Sequence, residues 1–247
     1  MDLVTLARNN PDAFEKKTID QIVAITDDGK LHDGSECARQ VREFLKFQTA
    51  ERIAKYAHYC LKHPSDVNNA ALQDIVNEIG RRLEFDVVYG KYFGSRQTDG
   101  YDGLWASGPN QLVVVCKLSD DYKVDIDHLM HNFEDGPQAA QTGMSFSGLI
   151  VVGQQETWDI ERQIRGGRFA ASVRVISILS LLKLLLIHDK QPKRVAKINS
   201  LLMPHDFTRL DHLVTDYCEL FEEAALANAA APTSAPPSAT DAPKRGR

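Results

Sequence analysis

Residues 99–121 of the chain read Asp-Gly-Tyr-Asp-Gly-Leu-Trp-Ala-Ser-Gly-Pro-Asn-Gln-Leu-Val-Val-Val-Cys-Lys-Leu-Ser-Asp-Asp. Two apolar runs flank the turn sequence at residues 108–110, and this pattern predicts a β-hairpin. Asp102 heads the first predicted strand, and Lys117 closes the apolar run of the second. A lysine at the end of a buried strand is unfavourable without an anionic partner. We therefore expect Asp102 and Lys117 to lie side by side.

The composition is that of an ordinary globular protein. Of 247 residues, 43% are hydrophobic and 26% are charged, and the formal net charge is −5. A negative net charge gives no overall attraction to nucleic acid or anionic membranes, so binding to a polyanion requires a local basic patch. No apolar run is long enough to span a bilayer, so we expect no membrane partner. The four cysteines are far apart and suggest no metal site, which favours a reducing, cytoplasmic compartment.

The order of predicted elements indicates an α/β fold with flanking helices. We divide the chain into a helical N-terminal region, an α/β core, C-terminal helices and a disordered tail, at residues 1–66, 67–190, 191–226 and 227–247. Besides the hairpin, the predicted strands span residues 85–92, 146–153 and 172–178. The predicted helices of the core and C-terminal region span residues 69–83, 124–133, 157–164, 177–187, 193–202 and 208–224.

Glu78 lies on the predicted helix that precedes the first strand. It flanks the apolar stripe of that helix, within roughly 60° of Ile75 at about 100° per residue. From this position it could reach sideways towards a neighbouring sheet. The helix by itself favours a simpler interpretation, in which Glu78 forms an exposed ion pair with Arg82 at i,i+4 spacing.

Three features together resemble the PD-(D/E)xK nuclease superfamily: the helix acid Glu78, the run Tyr-Asp-Gly-Leu-Trp at 101–105, and Val-Val-Val-Cys-Lys at 113–117. The resemblance covers about residues 68–180 and implies a restriction-endonuclease-like mixed sheet of four or five strands flanked by helices. It implies that Asp102, Lys117 and Glu78 are catalytic, and that Asp102, Glu78 and the carbonyl of Cys116 bind Mg²⁺ or Mn²⁺. The implied function is metal-dependent hydrolysis of DNA, in a bacterial restriction or defence setting.

The chain departs from this family at one position, because Val115 replaces the second acid of the motif. Valine binds no metal and accepts no proton, so two alternatives follow. Hydrolysis survives if an acid from another element takes over, for which the later chain offers Asp120, Asp121, Asp127, Glu134 and Asp135. Otherwise the chain is a catalytically inactive nuclease-fold module that binds DNA or protein.

Other residues are candidates for contacts with nucleic acid or protein. Arg165 and Arg168 flank a glycine pair, and Arg96 lies in the loop before the hairpin, so all three are candidates to bind phosphate. The alternative for Arg165 and Arg168 is a helix C-terminus with two solvated arginines. His128 and His131 have a metal-like spacing, but a polar helix face is favoured. The C-terminal helices are the candidates for contacts in a homodimer or with a protein partner.

Several common enzyme classes have no support in the sequence. It contains no Gly-x-Ser-x-Gly elbow, and no Gly-x-Gly-x-x-Gly or Walker pattern for a nucleotide cofactor. No cysteine–histidine spacing of the zinc-finger type occurs. The nuclease-like motif is therefore the feature of the sequence on which a functional hypothesis depends.

Overall fold

The computed structural model describes residues 2–92, 101–117, 145–153, 157–168, 170–203 and 209–219. The predicted helix at 124–133, Arg96, both histidines and the five alternative acids lie outside these ranges. So do Thr208 and all residues after 219, which include the predicted tail.

The N-terminal region is helical, as predicted from its periodicity. It contains α1 (Leu3–Asn9), α2 (Pro11–Glu15), α3 (Ile19–Ala24), α4 (Glu36–Lys46) and α5 (Ala50–Lys62). The longer helices begin at side-chain caps, because the hydroxyl groups of Ser35 and Thr49 accept hydrogen bonds from backbone amides in the first turn. Thr18 and Gln21 form a capping box at α3.

The next helix, α6 (Asp66–Arg82), is buried on almost every side. It begins three residues earlier than predicted, because the Ser65 hydroxyl accepts a hydrogen bond from the amide of Asn68 at 3.2 Å. The predicted domain boundary between residues 66 and 67 therefore falls inside its first turn. Helices α3, α4 and α5 all pack against α6, so α6 connects the N-terminal helices to the sheet.

The sheet has five strands in sequential order. They are β1 (Asp86–Tyr89), β2 (Gly103–Ser107), β3 (Asn110–Lys117), β4 (Ser145–Val152) and β5 (Val173–Ser177). Strands β1, β2 and β3 are antiparallel neighbours, whereas β4 and β5 run parallel to β3. The prediction of an α/β fold with a mixed sheet of four or five strands is thus confirmed, and β1 is shorter than the predicted strand at 85–92.

Helices cover both faces of this sheet. The helix α7 (Trp158–Gly166) follows β4, and α8 (Ile178–Lys190) follows β5. Alternate residues of β4 point to opposite faces: Leu149 and Val151 join the main buried cluster with α6 and α8, whereas Ile150 and Val152 pack with Ile164 of α7. The structure is therefore three-layered around the sheet.

The C-terminal helices pack back on this unit. Residues Pro192–Arg194 form a 3-10 turn before α9 (Val195–Leu202), where one helix over 193–202 was predicted. Helix α10 occupies residues 211–219. The motif Thr208–Asp211 is typical of a helix cap, but Thr208 lies outside the described residues. Asp211 accepts hydrogen bonds from the Ser177 amide at 3.2 Å and the Ser180 hydroxyl at 2.8 Å.

In the part of the chain that the structure describes, no helix has both the length and the apolar character needed to span a bilayer.

Candidate functional site

Asp102 lies at the edge of the sheet where β2 begins and β3 ends. Its amide donates to the carbonyl of Val114 at 2.9 Å, and its own carbonyl accepts from the amide of Gly90 at 3.0 Å. Its carboxylate accepts a hydrogen bond from the backbone amide of Cys116. Two neighbouring segments, β3 and the residue that follows β1, therefore fix the Asp102 backbone, and β3 holds its carboxylate beside the last two residues of that strand.

The surroundings of Asp102 change its acidity. Burial raises the pKa of the Asp102 carboxyl group to about 6, while the Cys116 amide and the positive charge of Lys117 act in the opposite direction. Removal from water disfavours the charged form of an acid, whereas a donor or a nearby cation favours it. The group therefore changes its protonation state near neutral pH, as carboxyl groups at functional sites often do.

Lys117 is the last residue of β3 and sits at the same end of the hairpin as Asp102. Its carbonyl accepts a hydrogen bond from the amide of Gly153 at 3.0 Å, and it pairs in register with Val152. Because Gly103 pairs with Val114, the antiparallel register places Asp102 and Lys117 at the same end of the hairpin, and the charge of Lys117 acts on the Asp102 carboxyl group. The arrangement offers one carboxylate and one ammonium group at the end of the sheet.

Val115 fills the position of the missing acid with an apolar side chain. It is 3% exposed and packs with Leu104 and Val113, against Tyr101 and Phe146. Burial raises the pKa of the neighbouring Cys116 thiol well above the usual range, and sulfur is a soft ligand that Mg²⁺ does not prefer. The described residues contain no group of three or more His, Cys, Asp or Glu placed to hold a metal ion. These residues alone do not complete a magnesium site, which requires hard oxygen ligands.

Glu78 lies in a different environment from the one that the resemblance implies. Its carboxylate is fully buried and bonds to Arg81 at 2.7 Å and to Arg82 at 2.7 Å. Arg82 in turn donates to the carbonyl of Leu45 at 3.1 Å, at the end of α4. The i,i+4 pair with Arg82 is therefore present, although it is buried rather than exposed. The structure places the Glu78 carboxylate in an ion-pair cluster with two arginines, and the bonds that this cluster makes lead to the end of α4.

Two α6 side chains that the sequence did not single out, Asn77 and Gln73, reach the carbonyl of Asp102. The Asn77 side-chain amide donates to the carbonyl of Asp102 at 2.8 Å, and its side-chain oxygen accepts from the indole of Trp105 at 2.9 Å. One turn earlier, the Gln73 side-chain amide donates to the carbonyl of Lys91 at 3.0 Å and to the carbonyl of Asp102 at 3.4 Å. The signal in the sequence is the polar or small stripe Gln73, Asn77 and Gly80 at i, i+4 and i+7.

Two glycines allow α6 to approach β2 this closely. A Cβ atom on Gly103 would lie 2.0 Å from the side-chain oxygen of Asn77, and one on Gly80 would lie 2.4 Å from the indole of Trp105. The Asp-Gly-Leu-Trp run is thus explained in part by packing. Gly103 makes room for Asn77, and Trp105 is a buried core residue.

Asp74, the residue after Gln73, is another buried acid of α6. Asp74 accepts hydrogen bonds from Arg42 at 2.9 Å and from the hydroxyl of Tyr92 at 2.5 Å. Burial raises the pKa of its carboxyl group to about 6, against the effect of Arg42. The Arg42 guanidinium also lies over the ring of Tyr89, 4.2 Å from its centroid. This cluster joins α4, α6 and the end of β1, and no sequence pattern links residues so far apart.

The predicted phosphate-binding arginines are placed on or near α7. Arg165 lies in the last turn, where it forms an ion pair with Glu161 at 3.3 Å while its side chain remains 67% exposed. Arg168 is exposed just beyond the helix, whose C-cap is Gly167. The alternative of a helix C-terminus with exposed arginines is thus present, and it is compatible with phosphate binding.

Comparison with known proteins identifies no family for the chain. No protein-family model matches the chain, and no curated protein matches it. A functional hypothesis therefore depends on the site geometry and the sequence motif.

Proposed function

We propose that the chain is a restriction-endonuclease-like DNA-processing protein whose site is built around Asp102 and Lys117. The observation that carries the proposal is the half-buried Asp102 carboxyl group. It accepts a hydrogen bond from the Cys116 amide, and the positive charge of Lys117 stabilises its ionised form. The order of elements supports it, since α6, an antiparallel β1–β2–β3 meander, a parallel β4 and a parallel β5 occur in the order that the resemblance implies.

The residues suit chemistry at a phosphodiester. An ammonium group beside a phosphate neutralises its charge and stabilises the charge that develops during hydrolysis. An ionised carboxylate can hold a hard divalent cation or orient a water molecule. Hydrolysis with Mg²⁺ or Mn²⁺ would need at least one further oxygen ligand, for which Asp127, Glu134 and Asp135 remain the candidates.

The alternative is a nuclease-fold module that binds DNA or protein without cleaving it. The packing of Val115 favours this alternative, because the position of the second acid is occupied by a side chain in an apolar cluster. In that case Lys117 and Asp102 stabilise the end of the hairpin, and contacts with a partner are made elsewhere on the surface.

A cleavage assay with Mg²⁺ or Mn²⁺ on duplex DNA, single strands and RNA tests the proposal. We expect cleavage by the wild type, a loss of at least tenfold in Asp102→Asn, and no change in Asp86→Asn, an exposed aspartate at the start of β1. The rate should rise with pH through about 6, because the Asp102 carboxyl group is protonated below its pKa of about 6 and binds a cation only when ionised.

The substitution Val115→Glu separates the proposal from its alternative. If an acid elsewhere substitutes, Val115→Glu adds little to an active wild type. If catalysis has been lost, wild type is inactive and Val115→Glu creates metal-dependent cleavage, whereas Val115→Gln, of similar size but uncharged, does not. Inactivity of both wild type and a folded Val115→Glu protein would contradict a hydrolytic function.

A further inference from the structure

Helix α7 carries an exposed tryptophan that the candidate site does not use. Trp158, the first residue of the helix, is 79% exposed, whereas Trp105, the other tryptophan of the chain, is fully buried. An indole of this size in water is unfavourable, since about 25 cal/mol is lost for each Å² of apolar surface left exposed. Such a residue requires a functional explanation more than an exposed small side chain does.

Two exposed arginines share a face of α7 with this tryptophan. Trp158, Arg162 and Arg165 are spaced i, i+4 and i+7 and so lie on one side of the helix. The opposite side packs on the sheet through Ile160 and Ile164. Glu161, the acid of this helix with a described side chain, is turned inwards and bonds to the Thr157 hydroxyl at 2.5 Å. Arg162 and Arg165 therefore lie on the same exposed side of α7 as the indole, and Arg165 also pairs with Glu161 at 3.3 Å.

This face begins at the edge of the sheet that carries Asp102 and Lys117. Gly153 follows β4 and donates its amide to the carbonyl of Lys117. Trp158 is five residues after Gly153, so the two are separated by at most about 18 Å of extended chain. From there α7 advances about 1.5 Å per residue, which places Arg165 about 10 Å beyond Trp158 along the helix.

We propose that this face of α7 binds single-stranded nucleic acid, with Trp158 stacking on an unpaired base and Arg162, Arg165 and Arg168 holding the backbone phosphates. Aromatic stacking combined with a positively charged track is how proteins bind single strands with little sequence preference. In an intact duplex the base faces are occupied by their neighbours, so an exposed indole gains little there. The inference rests on the proposed function and specifies its substrate as a single strand.

A protein partner is the competing occupant, because tryptophan and arginine are also common in the centres of protein interfaces. Such centres are surrounded by further apolar surface. The other exposed large hydrophobic residues described, Ile25, Phe47 and Val88, lie on other elements, and the residues at i+4 and i+7 from Trp158 on its helix face are arginines. The absence of further exposed apolar side chains among the described residues of α7, together with these two arginines, favours a polyanion with stackable bases over an apolar protein surface.

The inference is tested by measuring binding to three unlabelled oligonucleotides: a 15-nucleotide oligo(dT), an oligo(U) of the same length, and a DNA duplex of the same length. A chelator is present so that no substrate is cleaved. Because Trp105 is buried, quenching of tryptophan fluorescence reports on Trp158. We expect quenching by the single strands, roughly tenfold weaker binding in Trp158→Ala, and retention of binding in Trp158→Phe.

Arg165→Ala should weaken binding and reduce its salt dependence by about one phosphate contact. Phe47→Ala, which removes an exposed aromatic residue elsewhere, is the matched control.

The outcomes separate this inference from the proposed hydrolytic function. Single-strand binding that depends on Trp158 supports the inference even when no substrate is cleaved. Cleavage that Trp158→Ala leaves unchanged, with unchanged single-strand affinity, overturns the inference alone. Tighter binding of the duplex, or self-association that Trp158→Ala abolishes without an effect on nucleic-acid binding, overturns it as well and identifies the face as a duplex or protein interface.

Discussion

At the scale of single residues, Glu78 shows how a plausible catalytic acid can have a structural role. Its carboxylate lies in the interior and bonds to two arginines, one of which also bonds to the end of α4. Removing one partner of a buried ion pair leaves an uncompensated charge behind. The side chain therefore stabilises the junction between α4 and α6, and its effect should appear in folding rather than in catalysis.

We predict that Glu78→Ala lowers the free energy of unfolding by about 3 kcal/mol, measured by urea denaturation. The control is Glu36→Ala, which removes a carboxylate from the exposed Glu36–Arg39 pair at 2.5 Å. Exposed pairs contribute little to stability, so the control should unfold near the wild-type midpoint. If the two variants were equally stable and Glu78→Ala alone lost divalent-cation binding, Glu78 would be a metal ligand and not a structural residue.

At the scale of elements, the contact between α6 and β2 fixes the position of Asp102. The Trp105 indole lies against Gly80 and donates to Asn77, and Asn77 donates to the carbonyl of Asp102. Asn77 and Gly80, which are three positions apart on α6, thus fix the position of the helix against β2. A change in their separation would move the Asp102 backbone and, with it, the carboxylate at the end of β3.

We predict that Gly80→Ala destabilises the protein by about 1–3 kcal/mol, because overpacking a filled core forces side chains or backbone to move. This outweighs the gain of about 1 kcal/mol expected when alanine replaces glycine within a helix. Gly166→Ala in the last turn of α7 is the control, since no atom lies within 4 Å of its new Cβ. Thermal unfolding of both variants should show a lower midpoint for Gly80→Ala and no decrease for Gly166→Ala.

The elements themselves were largely predictable from the sequence, whereas their side-chain partners were not. The stripe on α6 and the alternation along β3 are local patterns, so periodicity locates them. The Asp102–Lys117 pairing was predictable because one short turn sets the hairpin. The partners of Glu78 and Asp74 were not, because burial by α4 and the position of Arg42 depend on tertiary packing that no local pattern encodes.

At the scale of the whole molecule, one buried cluster crosses the predicted domain boundaries. It includes Ile53 of α5, Ile75 of α6, Trp105 of β2 and Leu184 of α8. The N-terminal helices therefore cover surfaces of α6 and α8 that would otherwise face water. Small units with one shared core usually unfold in a single cooperative step, so helices of the N-terminal region and the sheet should lose their structure together.

We predict that Ile53→Ala, a change in α5, destabilises the environment of Trp105 in β2. In a Trp158→Phe background, tryptophan fluorescence reports on Trp105 alone and far-UV ellipticity reports on the helices. Both transitions should coincide and shift together, by about 2–5 kcal/mol for a buried isoleucine cut to alanine. Ile25→Ala, at a residue 43% exposed, should shift neither transition by a comparable amount.

If residues 1–66 were an independent unit, Ile53→Ala would shift part of the ellipticity change and leave the Trp105 transition in place. Because α6 and α8 both use the N-terminal helices to cover their apolar faces, the coincident shift is the outcome that the packing requires.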